Sequence, residues 1–307
     1  MTLINVGIVI QKLIPILLTF ALGYFLKKKK IFTPADGKNL LKLVFYVTGP
    51  LLTLKSLSSV SIDSNLLIFP LSTIILVASS FLFASLFKNS FSFDRKQKGV
   101  FISSSMIINS GFTLPFIISA VGDMGVARAS LFNVTNSLLI YGWVYAIAVK
   151  HGQDQTSVEK MSVMNKVLKA PGLWAVVIGL LMNFSHITIH QSLLPFVDSL
   201  GNMTGPLIML ALGFIFSFKV LHLKASLLAL FARIGLGLII GYLIVLGFGL
   251  TGIDRLVMML LAASPIGIFT ITFASLENLD EEYAASIVSI GLVVGLILMP
   301  ILIAVFS

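Results

Sequence analysis

The sequence contains no cysteine, and charged residues occupy only 11% of its 307 positions. The absence of cysteine excludes disulfide bonds, thiol catalysis and Cys-ligated metals. Soluble proteins carry about 25% charged residues, whereas this chain is 57% hydrophobic and has a mean hydropathy of +1.05. This composition indicates a protein that resides in a lipid bilayer.

The chain consists largely of long hydrophobic runs, and they predict an all-α integral membrane protein with ten transmembrane helices. Nothing between the runs is long enough for a soluble domain. The only sizeable polar link divides the chain into a first five-helix half at residues 1–150, a cytoplasmic link at 151–170 and a second half at 171–307. The predicted segments are 5–26, 38–57, 66–87, 98–121, 125–149, 171–187, 193–217, 223–249, 255–276 and 283–306.

Basic residues give a formal net charge of +9, and they lie between the hydrophobic runs. That placement is typical of topology signals and argues against a nucleic-acid partner. Of the 21 basic residues, Arg233 lies inside a span, 16 lie on one side, and four lie on the other: Lys12, Lys55, Arg128 and Arg255. The rich side is predicted to be cytoplasmic, so both termini are expected outside the plasma membrane.

The fourth segment contains a polar interruption. Residues 99–122 are long enough to cross a bilayer, but Gly111 and Pro115 lie in their middle. Proline lacks an amide hydrogen and clashes with the preceding turn, so the helix is predicted to break just before Pro115. Two half-helices meeting at mid-membrane would form a place to hold a solute.

An internal repeat appears when the chain is shifted by 156 residues without a gap. The shift aligns residues 48–51 with the identical residues 204–207, and it places Asn109 on Pro265. The ninth segment is therefore predicted to break at residues 264–267, in register with the break in the fourth. Five helices per repeat is an odd number, so the halves must be inverted relative to each other, as in secondary transporters.

These same residues resemble the auxin efflux carrier family, which includes PIN-type auxin exporters and bacterial malate and malonate permeases. The resemblance rests on residues 109–112 (Asn-Ser-Gly-Phe) followed by Pro115, on residues 263–265 (Ala-Ser-Pro), and on Pro300. It covers the whole chain. It implies a scaffold of helices 1, 2, 6 and 7, a moving transport domain of the other six, and broken helices 4 and 9 that cross beside the substrate. The long cytoplasmic loop of many plant members is replaced here by a short link.

Other polar residues allow two interpretations each. Asn133 and Asn136 share a helix face, where they either bind substrate or form hydrogen bonds between helices. Asp198 falls on Lys42 in the repeat, and the two suit an interfacial or structural role. Arg233 is predicted either to pair with a substrate carboxylate or to pack against backbone carbonyls.

The function expected from these features is a secondary active transporter (a permease) for a small organic anion of the carboxylate class, rather than an enzyme. An anion channel and a sodium-coupled symporter of the bile-acid type are the alternatives. No cofactor or metal site is predicted, a proton or sodium ion is expected to couple transport, and a homodimer is left open. The bilayer and the anion are the expected partners. The predicted substrate-binding residues are Asn109, Ser110, Gly111, Pro115, Asn133, Asn136, Ser264, Pro265, Gly267 and Thr270.

Overall fold

The computed structural model describes residues 6–59, 64–152, 171–216 and 219–306. Most of the predicted cytoplasmic link, from residue 153 to residue 170, lies outside these described residues. The helical stretch Ser110–His151 is interrupted at Gly122, where φ is +59° and ψ is −145°, so residues 110–121 are treated as α5 and residues 123–151 as α6. The other helices are α1 (Val6–Lys28), α2 (Pro34–Ser59), α3 (Ile68–Phe87), α4 (Arg95–Met106), α7 (Pro171–Phe184), α8 (Leu194–Asn202), α9 (Thr204–Ile215), α10 (Leu223–Gly247), α11 (Gly252–Ala262), α12 (Phe269–Leu276) and α13 (Glu281–Phe306).

The described residues form helices and contain no β-strand, which confirms the all-α class. Five of the described helical stretches are long and apolar enough to cross a membrane: Pro34–Ser59, Ile68–Phe87, Ser110–His151, Leu223–Gly247 and Glu281–Phe306. Many large apolar side chains face outward, among them Leu86 of α3 at 78% exposure and Val305 of α13 at 64%. Such an apolar exterior suits a lipid environment better than water.

Local sequence explains where several helices begin. Asp94 caps α4 by accepting a hydrogen bond from the Gln97 backbone N–H at 2.8 Å, and the Gln97 side-chain oxygen accepts one from the Asp94 backbone N–H. Thr33 and Asp36 form the same reciprocal arrangement at the start of α2, where Pro34 takes the first helical position. These capping boxes satisfy amides that have no partner within the helix.

The predicted break before Pro115 is wrong. The chain leaves the helix after Met106 and resumes it at Ser110, so Pro115 lies inside α5. Asn109 sets the new start because its side chain accepts the Phe112 amide hydrogen at 3.1 Å. The break falls where backbone pairing with a distant segment replaces the lost helical hydrogen bonds, and this pairing is described below.

The break in the ninth segment is located as predicted. Helix α11 ends at Ala262, and α12 begins at Phe269. The residues between these helices pair with the break in the first half: the Pro265 carbonyl accepts the Asn109 backbone N–H, and the Gly267 backbone N–H donates to the Ile107 carbonyl. Residues 263–267 therefore form the unwound segment of this half.

Several helix limits in the two halves are also separated by 156 or 157 residues, close to the repeat distance. Helix α4 spans residues 95–106 and α11 spans 252–262, while α1 and α7 end at residues 28 and 184. The packing follows the same relation. Gly23 of α1 approaches α9 so closely that an added Cβ would lie 2.5 Å from the Leu210 carbonyl oxygen. A Cβ added to Gly179 of α7 would lie 2.9 Å from the Leu57 Cβ of α2 and 3.4 Å from the Leu54 carbonyl oxygen.

The hydrophobic core surrounds the two unwound segments. Phe101 and Met106 of α4, Phe112 of α5 and Leu260 of α11 are completely buried and belong to one cluster. The interrupted helices therefore lie at the centre of the molecule, where their opened backbone is shielded from the surroundings.

Candidate functional site

The two unwound segments lie side by side and pair with each other through their backbones. Ile108 and Ile266 form an isolated antiparallel bridge. The Asn109 N–H donates to the Pro265 carbonyl at 2.9 Å, and the Gly267 N–H donates to the Ile107 carbonyl at 3.0 Å. This pairing satisfies backbone groups that would be costly to leave open in an apolar interior. We call residues 107–109 and 263–267 the crossing.

Asn109 connects both sides of the crossing through its side chain. Its Oδ1 accepts the Phe112 N–H at 3.1 Å, and its Nδ2 donates to the Ile266 carbonyl at 3.3 Å. Together with its backbone bond to Pro265, Asn109 thus fixes the start of α5 relative to the opposite segment.

Further polar side chains from α5 and α6 converge on the crossing. The hydroxyls of Thr113 and Ser264 lie 2.6 Å apart. Asn136 of α6 donates to the Ile108 carbonyl at 3.2 Å, and the Ser110 hydroxyl donates to Asn133 Oδ1. Asn133 and Asn136 therefore hydrogen bond to residues at or next to the crossing, a placement that fits both of their interpretations.

Some polar groups at the crossing have spare hydrogen-bonding capacity. The buried Oδ1 of Asn136 and the buried Oγ1 of Thr270 have no partner among the described residues. The Ser110 and Gly111 amides occupy the first turn of α5, where N–H groups have no acceptor within the helix. Donors and acceptors are thus available beside the positive end of a helix dipole.

Burial closes the site in this conformation. Asn109, Ser110, Ser264 and Thr270 are each exposed by less than a tenth, whereas Gly111 and Asn133 are half-buried. Pro115 is displaced from the crossing and packs toward α9, where a Cβ added to Gly205 would lie 3.7 Å from the Pro115 Cβ. Of the ten predicted site residues, Pro115 is the one that lies farther along α5, and its contact is with another helix.

Two glycines of α13 complete the crossing, and sequence reasoning missed both. An added Cβ on Gly295 would lie 2.7 Å from the Phe112 ring and 3.1 Å from Pro265 Cγ. One on Gly291 would lie 3.3 Å from the Ile266 amide nitrogen. The signal was present, because residues 291–295 read Gly-Leu-Val-Val-Gly, a spacing that allows close approach of helices in membranes.

Arg233 of α10 lies beside the crossing and is completely buried. Its Nη2 donates to the Ala262 carbonyl at 2.8 Å, and its Nε donates to the Ser264 carbonyl at 3.3 Å. These carbonyls are at the end of α11, where helical partners are lacking. The structure therefore shows the packing role against backbone carbonyls that was one of the two interpretations of this residue.

Ion pairs also join helices through Lys55 and Arg128, two cations of the predicted basic-poor side. Lys55 of α2 lies 3.2 Å from Asp123 of α6 and 2.9 Å from Asp198 of α8. Arg128 of α6 pairs with Asp254 of α11. Each of these cations thus already has an acidic partner.

Comparison with known protein families matches residues 8–303 to the family described as membrane transport protein. No curated protein matches the chain significantly. The family match, the helical fold and the apolar exterior identify a multi-pass membrane protein with a transport function. Because the match covers nearly the whole sequence, the chain belongs to the membrane transport protein family, the family of auxin efflux carriers and PIN-like proteins.

Proposed function

We propose that this protein is a secondary active transporter that moves a small organic anion of the carboxylate class across the plasma membrane by alternating access. The observation that carries the proposal is the crossing, where two interrupted apolar helices meet at a buried polar point. Discontinuous helices that meet near the membrane midplane are the usual substrate site of secondary transporters.

The proposed architecture has ten transmembrane helices in two inverted halves. In this scheme α4 with α5 forms the fourth span, and α11 with α12 forms the ninth. The 156-residue separation of helix limits and the matched packing of α1 on α9 and of α7 on α2 support it. Helices α1, α2, α7, α8 and α9 would form the scaffold, and the remaining helices would form the moving unit.

An anion at the crossing would be held by helix ends and neutral side chains. The first turn of α5 offers the Ser110 and Gly111 amides at a helix N-terminus, which attracts anions without a cation. The Asn133 amide and the Thr270 hydroxyl are further donors. The nearby cation, Arg233, already donates to the Ala262 and Ser264 carbonyls.

Alternating access follows from the burial of the site. Because the crossing residues are almost inaccessible here, a solute can reach them only after the two groups of helices separate on one side. Moving an anion also transfers charge, and we propose that co-transport of a proton or a sodium ion compensates for it.

Counterflow in proteoliposomes tests the function. Vesicles preloaded with an unlabelled mono- or dicarboxylate should accumulate the labelled acid transiently and with saturation, whereas an organic cation of similar size should not be taken up. Unitary current steps in single-channel recording, with no counterflow, would show a channel instead. Counterflow that a sodium gradient drives and a proton gradient does not would assign sodium as the coupling ion.

A further inference from the structure

A cavity of about 470 Å³ lies at the basic-rich end of the protein. Its lining comes from the end of α3, the loop after it, the start of α4 and the end of α6. We call it the basic pocket. The residues that line it are Lys88, Asn89, Arg95, Lys98, Lys150 and His151.

Among the described residues that line it, five of the six side chains are basic or contain an imidazole, and none of these six is acidic. The site is built from folded elements, since Arg95 Nη2 donates to the Lys150 carbonyl and thereby joins α4 to α6. Gly99 lets α4 approach α6, because an added Cβ there would lie 2.6 Å from His151 Cβ. Converging cations of this kind create a positive potential that favours a phosphate group.

The basic pocket lies at the level expected for lipid headgroups. Helix α3 is an apolar span that ends at Phe87, and Lys88 is the next residue. On the same helix, Leu82 and Leu86 are exposed by 62% and 78%, one turn apart and directly before Lys88. The apolar strip formed by these two leucines therefore lies on the helix that ends at the pocket.

We propose that the basic pocket binds the phosphate group of an anionic phospholipid, whose acyl chains lie along Leu82 and Leu86. Basic pockets between transmembrane helices on the cytoplasmic side suit anionic headgroups. The exposed leucines favour a lipid over a soluble phosphate, because only a lipid would contact the cations and the apolar strip together. The site is separate from the crossing, and the inference does not depend on the transported substrate.

The test measures lipid binding by the full-length protein in a neutral detergent. Phosphatidylglycerol and phosphatidylcholine are titrated separately, with the thermal unfolding midpoint and the bound lipid in native mass spectra as readouts. The pocket variant is Lys88→Gln with Arg95→Gln and Lys98→Gln. The matched control is Lys28→Gln with Lys29→Gln and Lys30→Gln, which removes the same charge from exposed lysines on the same side of the protein.

Phosphatidylglycerol should raise the midpoint of the wild type at concentrations at which phosphatidylcholine does not. The pocket variant should bind phosphatidylglycerol at least about tenfold more weakly, given the contribution of each basic residue near a membrane surface. The control should bind it within about twofold of the wild type. If the pocket variant folds poorly, Lys98→Gln alone should still weaken binding while Lys29→Gln does not.

Three results would overturn the proposal. Equal weakening in the control would show attraction by the whole basic face. Equal stabilisation by both lipids would show no headgroup preference. If inorganic phosphate raised the thermal unfolding midpoint as much as the same concentration of phosphatidylglycerol, the ligand would be a soluble anion.

Discussion

At the scale of single residues, Asn109 determines where the interrupted helix restarts. A side-chain acceptor at a helix N-cap contributes about 1 kcal/mol to stability, and a net hydrogen bond contributes a similar amount. Asn109 makes one of each, to the Phe112 amide and to the Ile266 carbonyl. Serine at the same position would keep a capping oxygen but lacks the amide that reaches Ile266.

Replacement of Asn109 should separate these two roles. We expect Asn109→Ala to lose about 1–2 kcal/mol of stability while still folding, and Asn109→Ser to lose about half of that. Both variants should lose most carboxylate counterflow, because each releases the contact across the crossing. Thermal unfolding in detergent and counterflow in proteoliposomes provide the measurements. Wild-type counterflow in Asn109→Ala would remove Asn109 from the site.

Arg233 presents the opposite case, a buried cation whose partners are all protein oxygens. Arg233→Gln keeps an amide donor, whereas Arg233→Met keeps comparable bulk and no donor. We expect Gln to cost about 1–3 kcal/mol of stability and Met to cost more, since unsatisfied carbonyls remain at the end of α11. Carboxylate affinity in Arg233→Gln, measured by ligand-dependent thermal shift, should stay close to that of the wild type. Lost affinity with an unchanged midpoint would mean that the arginine binds the anion directly.

At the scale of helices, the sequence predicted where the helices lie along the chain better than it predicted where they break. Each helix overlaps a predicted hydrophobic segment, because the apolar length needed to cross a bilayer is a local property. The break before Pro115 was predicted from a local rule, whereas the actual break is fixed by pairing between Ile108 and Ile266. No local pattern contains that contact. The matching break at residues 264–267 was found because the repeat supplied information that a single helix does not.

The close packing of α13 against the crossing can be tested by adding a methyl group to one of its glycines. A methyl group at Gly295 would lie 2.7 Å from the Phe112 ring, which is completely buried. We expect Gly295→Ala to lower stability by about 1–3 kcal/mol through overpacking. Among the described residues, no atom lies within 4 Å of a Cβ added to Gly172 of α7, so Gly172→Ala should be neutral or stabilising by up to about 1 kcal/mol. Equal unfolding midpoints for the two variants would contradict the tight packing described here.

At the scale of the whole molecule, the distribution of basic residues predicts an orientation. Ser92, between α3 and α4, is exposed at the basic-rich end, and Ser192, between α7 and α8, is exposed at the other. Because the chain has no cysteine, a single cysteine at either position is an unambiguous reporter. In intact cells, Ser192→Cys should react with an impermeant maleimide, and Ser92→Cys should react only after permeabilisation. The reverse pattern would invert the proposed topology.

The proposed movement of the moving unit against the scaffold can be tested with an engineered disulfide. Thr53 of α2, in the proposed scaffold, lies against Ser130 of α6, in the proposed moving unit, with their hydroxyl oxygens 3.1 Å apart. Cysteines at these two positions should form a disulfide in this conformation. A bond between the two groups of helices would hold the crossing occluded, so oxidation should abolish counterflow and a reductant should restore it.

The control places an equivalent bond inside the proposed scaffold. A Cβ added to Gly201 of α8 would lie 3.6 Å from the Leu52 Cβ of α2, within the range for a disulfide. Oxidised Leu52→Cys with Gly201→Cys should therefore retain counterflow, since α2 and α8 are not proposed to separate. If the bond between Thr53→Cys and Ser130→Cys forms in mass spectra and transport continues, the helices do not move as two groups. Access would then be controlled by a local gate. Loss of transport in both oxidised pairs would instead show that α2 itself must bend, at the π-helical turn Val44–Thr48 that precedes both of its cysteine positions.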